Sequence, residues 1–252
     1  MTPSGPRPSR RALLLAGLLL GAATACGAQQ ESGTSAPEPS ALRDSPSPAS
    51  DQPMKGSTVL NQRLLAAAAA GDAEAVRSAV NEGADLETRN AQRQTALLLA
   101  ATADHVEVAE ILVAAGADPD ALDYRHDTPW LVTGVTGSVG MLKALLPARP
   151  DMTIRNRYGG VSLIPACERG HVDYVREVLK TGIDVNHVND LGWTGLLEAV
   201  ILGDGSGPYQ EIVRLLLDAG ADPGLADKDG VTALEHARTK GQREIVAILS
   251  AA

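Results

Sequence analysis

An aspartate returns along this chain at a nearly constant interval, usually behind a glycine and one small or apolar residue. The copies are Asp85, Asp118, Asp151, Asp184 and Asp222, separated by 33, 33, 33 and 38 residues. A fixed period of this length is typical of a stacked repeat array. Such an array buries its core between neighbouring units and offers an extended surface, with no enclosed pocket by default. The period therefore favours a binding function over catalysis.

A second anchor lies ten residues after each aspartate and predicts where a helix begins. The anchors are Thr95, Thr128, Val161, Thr194 and Thr232. Threonine before an apolar run is a typical N-cap, and Pro129 takes the first helical position, where its missing N–H costs nothing. Thr232 and Glu235 have the spacing of a capping box. We therefore predict one helix directly after each anchor.

A second helix is expected in each repeat after a tight turn, because apolar residues recur there at helical spacing. The predicted spans are Val106–Leu112, Val139–Leu146, Val172–Leu179, Glu211–Leu217 and Glu244–Leu249. A first repeat without a preceding hairpin is predicted as helices Leu64–Gly71 and Glu74–Val80. The glycine before each aspartate should end the helix in a left-handed conformation, and a hairpin such as Asp222–Gly230 should follow.

These features resemble the ankyrin repeat family, whose motif reads roughly G-x-T-P-L-H-x-A-A, followed by G-H, V, L-L and G-A-D. The match is clearest in Gly230–Ala237, Gly170–Val172 and Leu215–Asp222, and it extends from about Val59 to Ala252. The resemblance implies an all-α ankyrin-repeat solenoid of about six helix-turn-helix repeats joined by β-hairpin loops. It places this ankyrin repeat domain at residues 58–252 and implies a protein partner.

The chain departs from the family pattern in three respects. The histidine after T-P-L is absent, and its slots hold Leu98, Leu131, Ile164, Leu197 and Glu235. The third repeat has Gly140 inside a predicted helix and Arg149 in a left-handed position, which each cost about 1 kcal/mol. The fifth repeat has five extra residues around Gly203–Tyr209, between its two helices.

The N-terminus is predicted to be a signal peptide over residues 1–25, with a basic start and an apolar run too short to span a bilayer. Ala23-Thr24-Ala25-Cys26 resembles a bacterial lipobox, which implies cleavage before Cys26 and lipidation of its thiol. An ordinary signal-peptidase site with an incidental cysteine is the alternative. Ser9–Leu14 also resembles a twin-arginine signal, so either that route or general secretion is open.

Residues 26–57 are predicted to be the lipidated cysteine followed by a disordered linker. The linker is rich in Ser, Pro, Ala, Gly and Gln, and lacks the apolar periodicity that would offset its ordering entropy. A flexible segment of this length spans roughly 30 Å. We therefore expect an exported protein, lipid-anchored through Cys26 at the outer face of the bacterial cell membrane.

The charge and the remaining motifs narrow the class of partner. The chain carries a net charge of −9, and loss of the three leader arginines leaves 19 basic and 31 acidic residues, or −12. Such a charge argues against binding to nucleic acid or to anionic lipid. The motifs indicate neither a metal or cofactor site nor a nucleophile–base pair, so we expect no cofactor and no enzymatic activity. Cys167 is predicted to be a buried packing residue in a monomeric domain.

Aromatic and arginine side chains cluster in the predicted hairpins, and both residue types are enriched at binding hot spots. The candidate partner-binding residues are Tyr124, Arg125, Arg155, Arg157, Tyr158 and Trp193. Trp193 also fits a slot that is often large in ankyrin repeats. Trp130 follows a hairpin, but it replaces a core leucine and is predicted to be buried.

The sequence thus predicts a cell-envelope, lipid-anchored ankyrin-repeat scaffold that mediates protein–protein interaction. The alternative is an envelope protective or immunity factor that binds one enzyme or toxin and neutralises or supports it, for example in oxidative-stress defence. Both functions require the same export signal and the same exposed binding surface.

Overall fold

The computed structural model describes residues 55–252, with side chains from residue 58 onwards. The predicted signal peptide, Cys26 and most of the linker lie outside the described residues. Within them the chain forms six pairs of α-helices, one pair for each repeat. The first helices are Lys55–Ala70, Ala96–Thr102, Pro129–Thr136, Leu163–Arg169, Gly195–Ile201 and Ala233–Thr239. The second helices are Ala73–Asn81, Val106–Ala114, Val139–Leu145, Val172–Val178, Gly207–Asp218 and Arg243–Ser250.

The stacking of these pairs confirms the predicted solenoid. The first helix of each repeat packs on its own second helix and on the first helices of adjacent repeats, and the second helices pack in the same way. One continuous apolar core results. The connecting hairpins are turns with little strand character: the described part of the chain contains a single isolated β-bridge, between Ala226 and Thr232.

The threonine anchors cap their helices as predicted. The hydroxyl oxygens of Thr95, Thr128 and Thr194 accept hydrogen bonds from the N–H groups three residues on, at 3.3, 3.1 and 3.2 Å. Thr232 and Glu235 form the predicted capping box. In the fourth repeat, Val161 cannot cap, and the N-cap falls on Ser162 without a side-chain bond.

Two helices begin several residues before their predicted starts. The first helix already includes Lys55, the first described residue, whereas the sequence predicts a start at Leu64. The added turns carry polar residues and no anchor, so the apolar pattern did not predict them. The second helix of the fifth repeat starts at Gly207 rather than Glu211, since Pro208 fits the first turn of a helix. Part of the five-residue insertion is therefore helical.

The third repeat contains the predicted irregularities, but one of its glycines is required by packing. Arg149 is left-handed, with φ of 55°, and Gly140 lies inside the second helix. A Cβ on Gly134 would lie 1.8 Å from the carbonyl oxygen of Ser162. The two first helices of repeats 3 and 4 thus approach closely, and Gly134 makes that approach possible.

In repeats 2, 4 and 5, a polar side chain lies within hydrogen-bonding distance of a carbonyl group near the end of the preceding first helix. The rings of His105 and His171 lie 3.3 and 3.2 Å from the carbonyl oxygens of Ala69 and Val135. The Tyr209 hydroxyl donates to the Glu168 carbonyl at 2.9 Å. Because these contacts cross the repeat boundaries, they help to hold neighbouring repeats together.

Candidate functional site

The hairpins are built around one Asn or Asp side chain in each of the five repeats that follow the first. These residues are Asn90, Asp123, Asn156, Asn189 and Asp227. Each Oδ1 accepts hydrogen bonds from the N–H groups two and four residues on, at 2.7 to 3.0 Å. Such Asx turns fix the backbone locally, so the residues between them form rigid, projecting tips.

Backbone hydrogen bonds join the tips of repeats 2 and 3 and the tips of repeats 4 and 5. The Tyr124 N–H donates to the Gln92 carbonyl at 3.2 Å, and the Asp190 N–H donates to the Tyr158 carbonyl at 2.9 Å. The Arg89 guanidinium donates to the carbonyl of Leu122 at 2.6 Å. The tips of successive repeats therefore stand side by side in one row.

Most of the exposed large hydrophobic side chains lie on this row. Among the described residues there are seven such side chains, and five occupy the tips of repeats 3, 4 and 5. These five, which we term the apolar set, are Leu122, Tyr124, Tyr158, Val188 and Leu191, exposed by 39, 68, 44, 45 and 44%. Clustered exposed apolar surface on a folded domain marks an interaction site more often than scattered residues do.

Arginines accompany the apolar residues in the tips of repeats 2, 3 and 4. These residues, termed the basic set, are Arg89, Arg93, Arg125, Arg155 and Arg157, all with exposed side chains. The Arg93 guanidinium lies 5.7 Å from the centroid of the Tyr124 ring, and that of Arg157 lies 4.6 Å from the centroid of the Tyr158 ring. Such cation–π contacts orient both groups at the surface. We call the two sets together the tip surface.

Asp127 links two of these arginines across a repeat boundary. Its Oδ2 lies 3.5 Å from Nε of Arg125 and 3.7 Å from Nη1 of Arg157. Burial raises the pKa of Asp127 and the neighbouring Asp123 adds to this effect, whereas the two guanidinium groups oppose it. The carboxylate therefore holds both arginines between the third and fourth tips.

Five of the six predicted partner-binding residues lie together on the tip surface, and the sixth does not. Trp193 is 5% exposed and belongs to the apolar core, so its prediction as an exposed contact is wrong. The reason is local: Asn189 accepts a hydrogen bond from the Trp193 N–H at 3.0 Å and closes the turn there. The chain has already re-entered the core at this point, directly before the Thr194 cap.

Two titratable residues behind the tips were not identified from the sequence. Glu198 is 4% exposed, and its Oε1 accepts a hydrogen bond from Nδ2 of Asn189 at 2.8 Å. His236 occupies the equivalent position in the sixth repeat, where its Nε2 lies 2.9 Å from Oδ2 of Asp227. In the sequence, each of these two residues lies nine positions after its turn residue, and this spacing could have identified them. Both side chains support a hairpin from behind.

Burial, and to a smaller extent the Glu168 carboxylate, raise the pKa of Glu198 to about 8, although the hydrogen bond from Asn189 opposes them. Burial also raises the pKa of the Cys167 thiol, which agrees with a packing role for that residue.

The described residues contain no group of three or more His, Cys, Asp or Glu side chains placed to hold a metal ion. Between residues 55 and 252, no helix is both long enough and apolar enough to cross a membrane.

Stacked helix pairs with a row of projecting turns define a repeat solenoid with an open binding surface. A family model described as ankyrin repeats (3 copies) matches residues 55–123 and 130–227. The chain belongs to the ankyrin repeat family, whose repeats mediate protein–protein interactions and whose members are typically non-enzymatic.

The similarity extends to whole proteins of comparable size. The putative ankyrin repeat protein YahD of Escherichia coli (strain K12) is 43% identical over 189 residues, which cover 75% of this chain and 94% of YahD. The crystal structure of an ankyrin repeat domain from Acinetobacter baumannii AYE is 47% identical, with a TM-score of 0.72. The match covers 75% of this chain and 96% of that one. The ankyrin repeat domain of Bcl-3 is 31% identical, with a TM-score of 0.68, over 75% of this chain and 84% of that one.

Proposed function

We propose that this protein is an exported, lipid-anchored scaffold at the outer face of a bacterial cell membrane, which binds a protein partner through the tip surface. The observation that carries the proposal is the concentration of exposed aromatic and arginine side chains on adjacent tips. Tyr124 and Tyr158, exposed by 68 and 44%, both lie on this row. Aromatic residues and arginine dominate the energetics of protein interfaces.

The rigidity of the tips favours affinity. Asx turns fix the backbone of each tip, and Arg93 and Arg157 stack on the two tyrosine rings. Ordering side chains at an interface costs about 0.5–1.5 kcal/mol for each flexible residue. Because these groups are already held in the free protein, a partner would lose less of its binding free energy to this cost.

The anchor is proposed from the sequence of the leader. Small residues before Cys26 form the lipobox-like Ala23-Thr24-Ala25-Cys26, and the Ser- and Pro-rich residues that follow separate this cysteine from the first repeat. Metabolic labelling of the full chain with a fatty-acid analogue should tag the wild type and spare the variant Cys26→Ala. The variant should also leave the membrane fraction. Equal membrane retention of an unlabelled wild type and of the variant would refute the anchor.

Partner binding is tested by photo-crosslinking of the full chain in its native envelope. A photoreactive residue at position 124 should form a discrete adduct with another protein, because that side chain stands on the tip surface. The matched control places the same residue at position 214, on the second helix of repeat 5, where no adduct of that size is expected. An adduct formed equally from both positions, or only from position 214, would place the interface elsewhere.

An experiment on the captured partner can decide between the scaffold function and the protective or immunity function. A scaffold leaves the partner's own activity unchanged, whereas a protective or immunity factor alters it on binding. Measuring that activity with and without the purified domain decides between them.

A further inference from the structure

The basic set and the apolar set overlap on the tip surface, but the apolar set begins and ends one repeat later along the chain. The basic set occupies repeats 2, 3 and 4, with two arginines each in repeats 2 and 4. The apolar set occupies repeats 3, 4 and 5, and its last members, Val188 and Leu191, lie beyond the last arginine of the basic set. The row therefore runs from a basic end, through a mixed centre, to an apolar end.

The basic end carries an excess of positive charge. Five arginines share these tips with two acids, Asp123 and Asp127, of which Asp123 is 6% exposed. Arg125 and Arg157 contact the same carboxylate of Asp127. The excess is notable because the chain as a whole has a net charge of −9.

The other arginines make contacts that leave their charge available. Arg89 donates to the neutral carbonyl of Leu122, and Arg93 stacks on the Tyr124 ring. Arg155 is exposed on the fourth tip. Guanidinium groups held in this way are suited to bind carboxylates in bidentate geometry.

Acidic residues at the base of the same hairpins limit how far an anionic ligand can extend. They are Asp85, Glu87, Asp118, Asp120 and Asp151. A long polyanion such as single-stranded nucleic acid would meet these carboxylates as well as the arginines. The aliphatic side chains of Leu122, Val188 and Leu191 also offer no ring on which a base could stack. A protein segment with a short acidic stretch fits both features better.

We propose that the partner presents one contiguous segment that is acidic at one end and apolar or aromatic at the other. The acidic end lies over the tips of repeats 2 to 4, and the apolar end lies over the tips of repeats 4 and 5. This inference rests on the proposed function, because it names the chemistry of the partner at the same surface. It adds a direction along the row, which the presence of a binding surface alone does not require.

The test begins with selection of random peptides displayed on phage against the immobilised full chain, with counter-selection against the variant Tyr124→Ala/Tyr158→Ala. The peptides that survive should carry acidic residues in one half and Leu, Tyr, Trp or Phe in the other. The strongest peptide is then synthesised with a fluorophore and titrated against the full chain at low and at high salt, because screening weakens exposed charge pairs selectively.

Two variants of the protein separate the ends of the row. Arg93→Gln/Arg155→Gln should weaken the peptide about tenfold at low salt and much less at high salt, since it removes charge. Val188→Ala/Leu191→Ala should weaken it about tenfold at both salt concentrations, since it removes apolar contact area. Arg214→Gln/Arg243→Gln, on second helices away from the tips, is the matched control and should change nothing. Circular dichroism and thermal melting establish that each variant is folded.

The outcomes distinguish this inference from the proposed function. Peptides that depend on Tyr124 and Tyr158 but lack acidic residues would overturn the inference and leave the proposed binding surface intact. Failure to select any peptide that depends on those tyrosines would count against both. Tighter binding of an oligo-dT probe than of the selected peptide would overturn the inference in favour of nucleic acid. Self-association of the chain that the tyrosine variant abolishes would make a second copy the occupant and would overturn it as well.

Discussion

The tip surface and the face formed by the second helices use arginine in opposite ways. On the second-helix face, basic side chains pair with carboxylates of the next repeat. The bridging pairs are Arg77–Glu107, Lys143–Glu177 and Arg176–Glu211, with N–O distances of 3.6, 3.9 and 3.2 Å. Among the described residues, none of the exposed large hydrophobic side chains lies on a second helix.

At the tips of repeats 2 to 4, arginines outnumber the acids of the same tips, and two of the arginines stack on exposed rings. The difference shows how one repeat fold supports two kinds of surface. Paired charges on a polar face keep a surface solvated and contribute little free energy. Unbalanced charge beside exposed aromatic rings leaves contact area and charge for another molecule. The four predictions that follow test this contrast, from the largest expected effect to the smallest.

The largest effect is expected for loss of the two exposed rings. Tyr124→Ala/Tyr158→Ala should reduce affinity for the cross-linked partner by roughly 2–6 kcal/mol in total, because truncated hot-spot residues cost about 1–3 kcal/mol each. The melting temperature should change little, since both side chains lie outside the core. Titration calorimetry and thermal melting measure the two quantities. An unchanged affinity would remove these tyrosines from the binding surface.

A pH-dependent effect is expected at Glu198, behind the fifth tip. Its folded pKa is raised from 4.5 to about 8, so the neutral form favours folding, and this contribution is lost as pH rises from about 4.5 through 8. Relative to Glu198→Gln, the wild-type free energy of unfolding should therefore fall by an amount on the order of 3 kcal/mol between pH 5 and 9. Urea unfolding across this range measures it. Parallel pH curves for the two proteins would show that Glu198 titrates normally.

A smaller difference in the free energy of unfolding is expected between substitutions of two equivalent turn residues, Asn189 and Asn156. Asn189→Ala should lower the free energy of unfolding by about 2 kcal/mol, because it opens the turn and also leaves Glu198 buried without its donor. Asn156→Ala opens the equivalent turn of repeat 4 but leaves no buried carboxyl behind, and about 1 kcal/mol is expected. Chemical denaturation compares them. A larger loss for Asn156→Ala would contradict this account of the support behind the tips.

The smallest effect is expected on the second-helix face. Arg176→Ala removes exposed ion pairs with Asp173 and Glu211, and exposed ion pairs contribute little to stability. Partner affinity and melting temperature should both stay close to the wild-type values. A marked loss of partner affinity would contradict the contrast between the two faces, because it would make the second-helix face part of the interface.

The fold was predictable because its determinants are local and periodic. The 33-residue interval, the threonine anchors and the glycines after the second helices each specify backbone conformation within a few residues. The start of the first helix was not predictable in the same way. Residues before Leu64 contain no anchor, and the helix reaches back to Lys55 without one.

The tip surface was only partly predictable, because a hairpin pattern does not show which way each side chain points. Tyr124 and Tyr158 lie between the turn residue and the return of the chain, whereas Trp193 directly precedes a helix anchor. The residues at that equivalent position are all buried or half-buried: Gln94, Asp127, Gly160, Trp193 and Val231. Aligning the hairpins on their turn residues would have placed Trp193 inside.

The central claim is that partner contact is confined to the tips. The most direct test is hydrogen–deuterium exchange of the full chain, with and without the purified partner that photo-crosslinking identifies. We expect added protection in residues 89–93, 122–126, 155–159 and 188–191, which form the tips of repeats 2 to 5. Exchange in the second helices, such as Val172–Val178 and Gly207–Asp218, should be unchanged. Protection of those helices with unprotected tips would contradict the account.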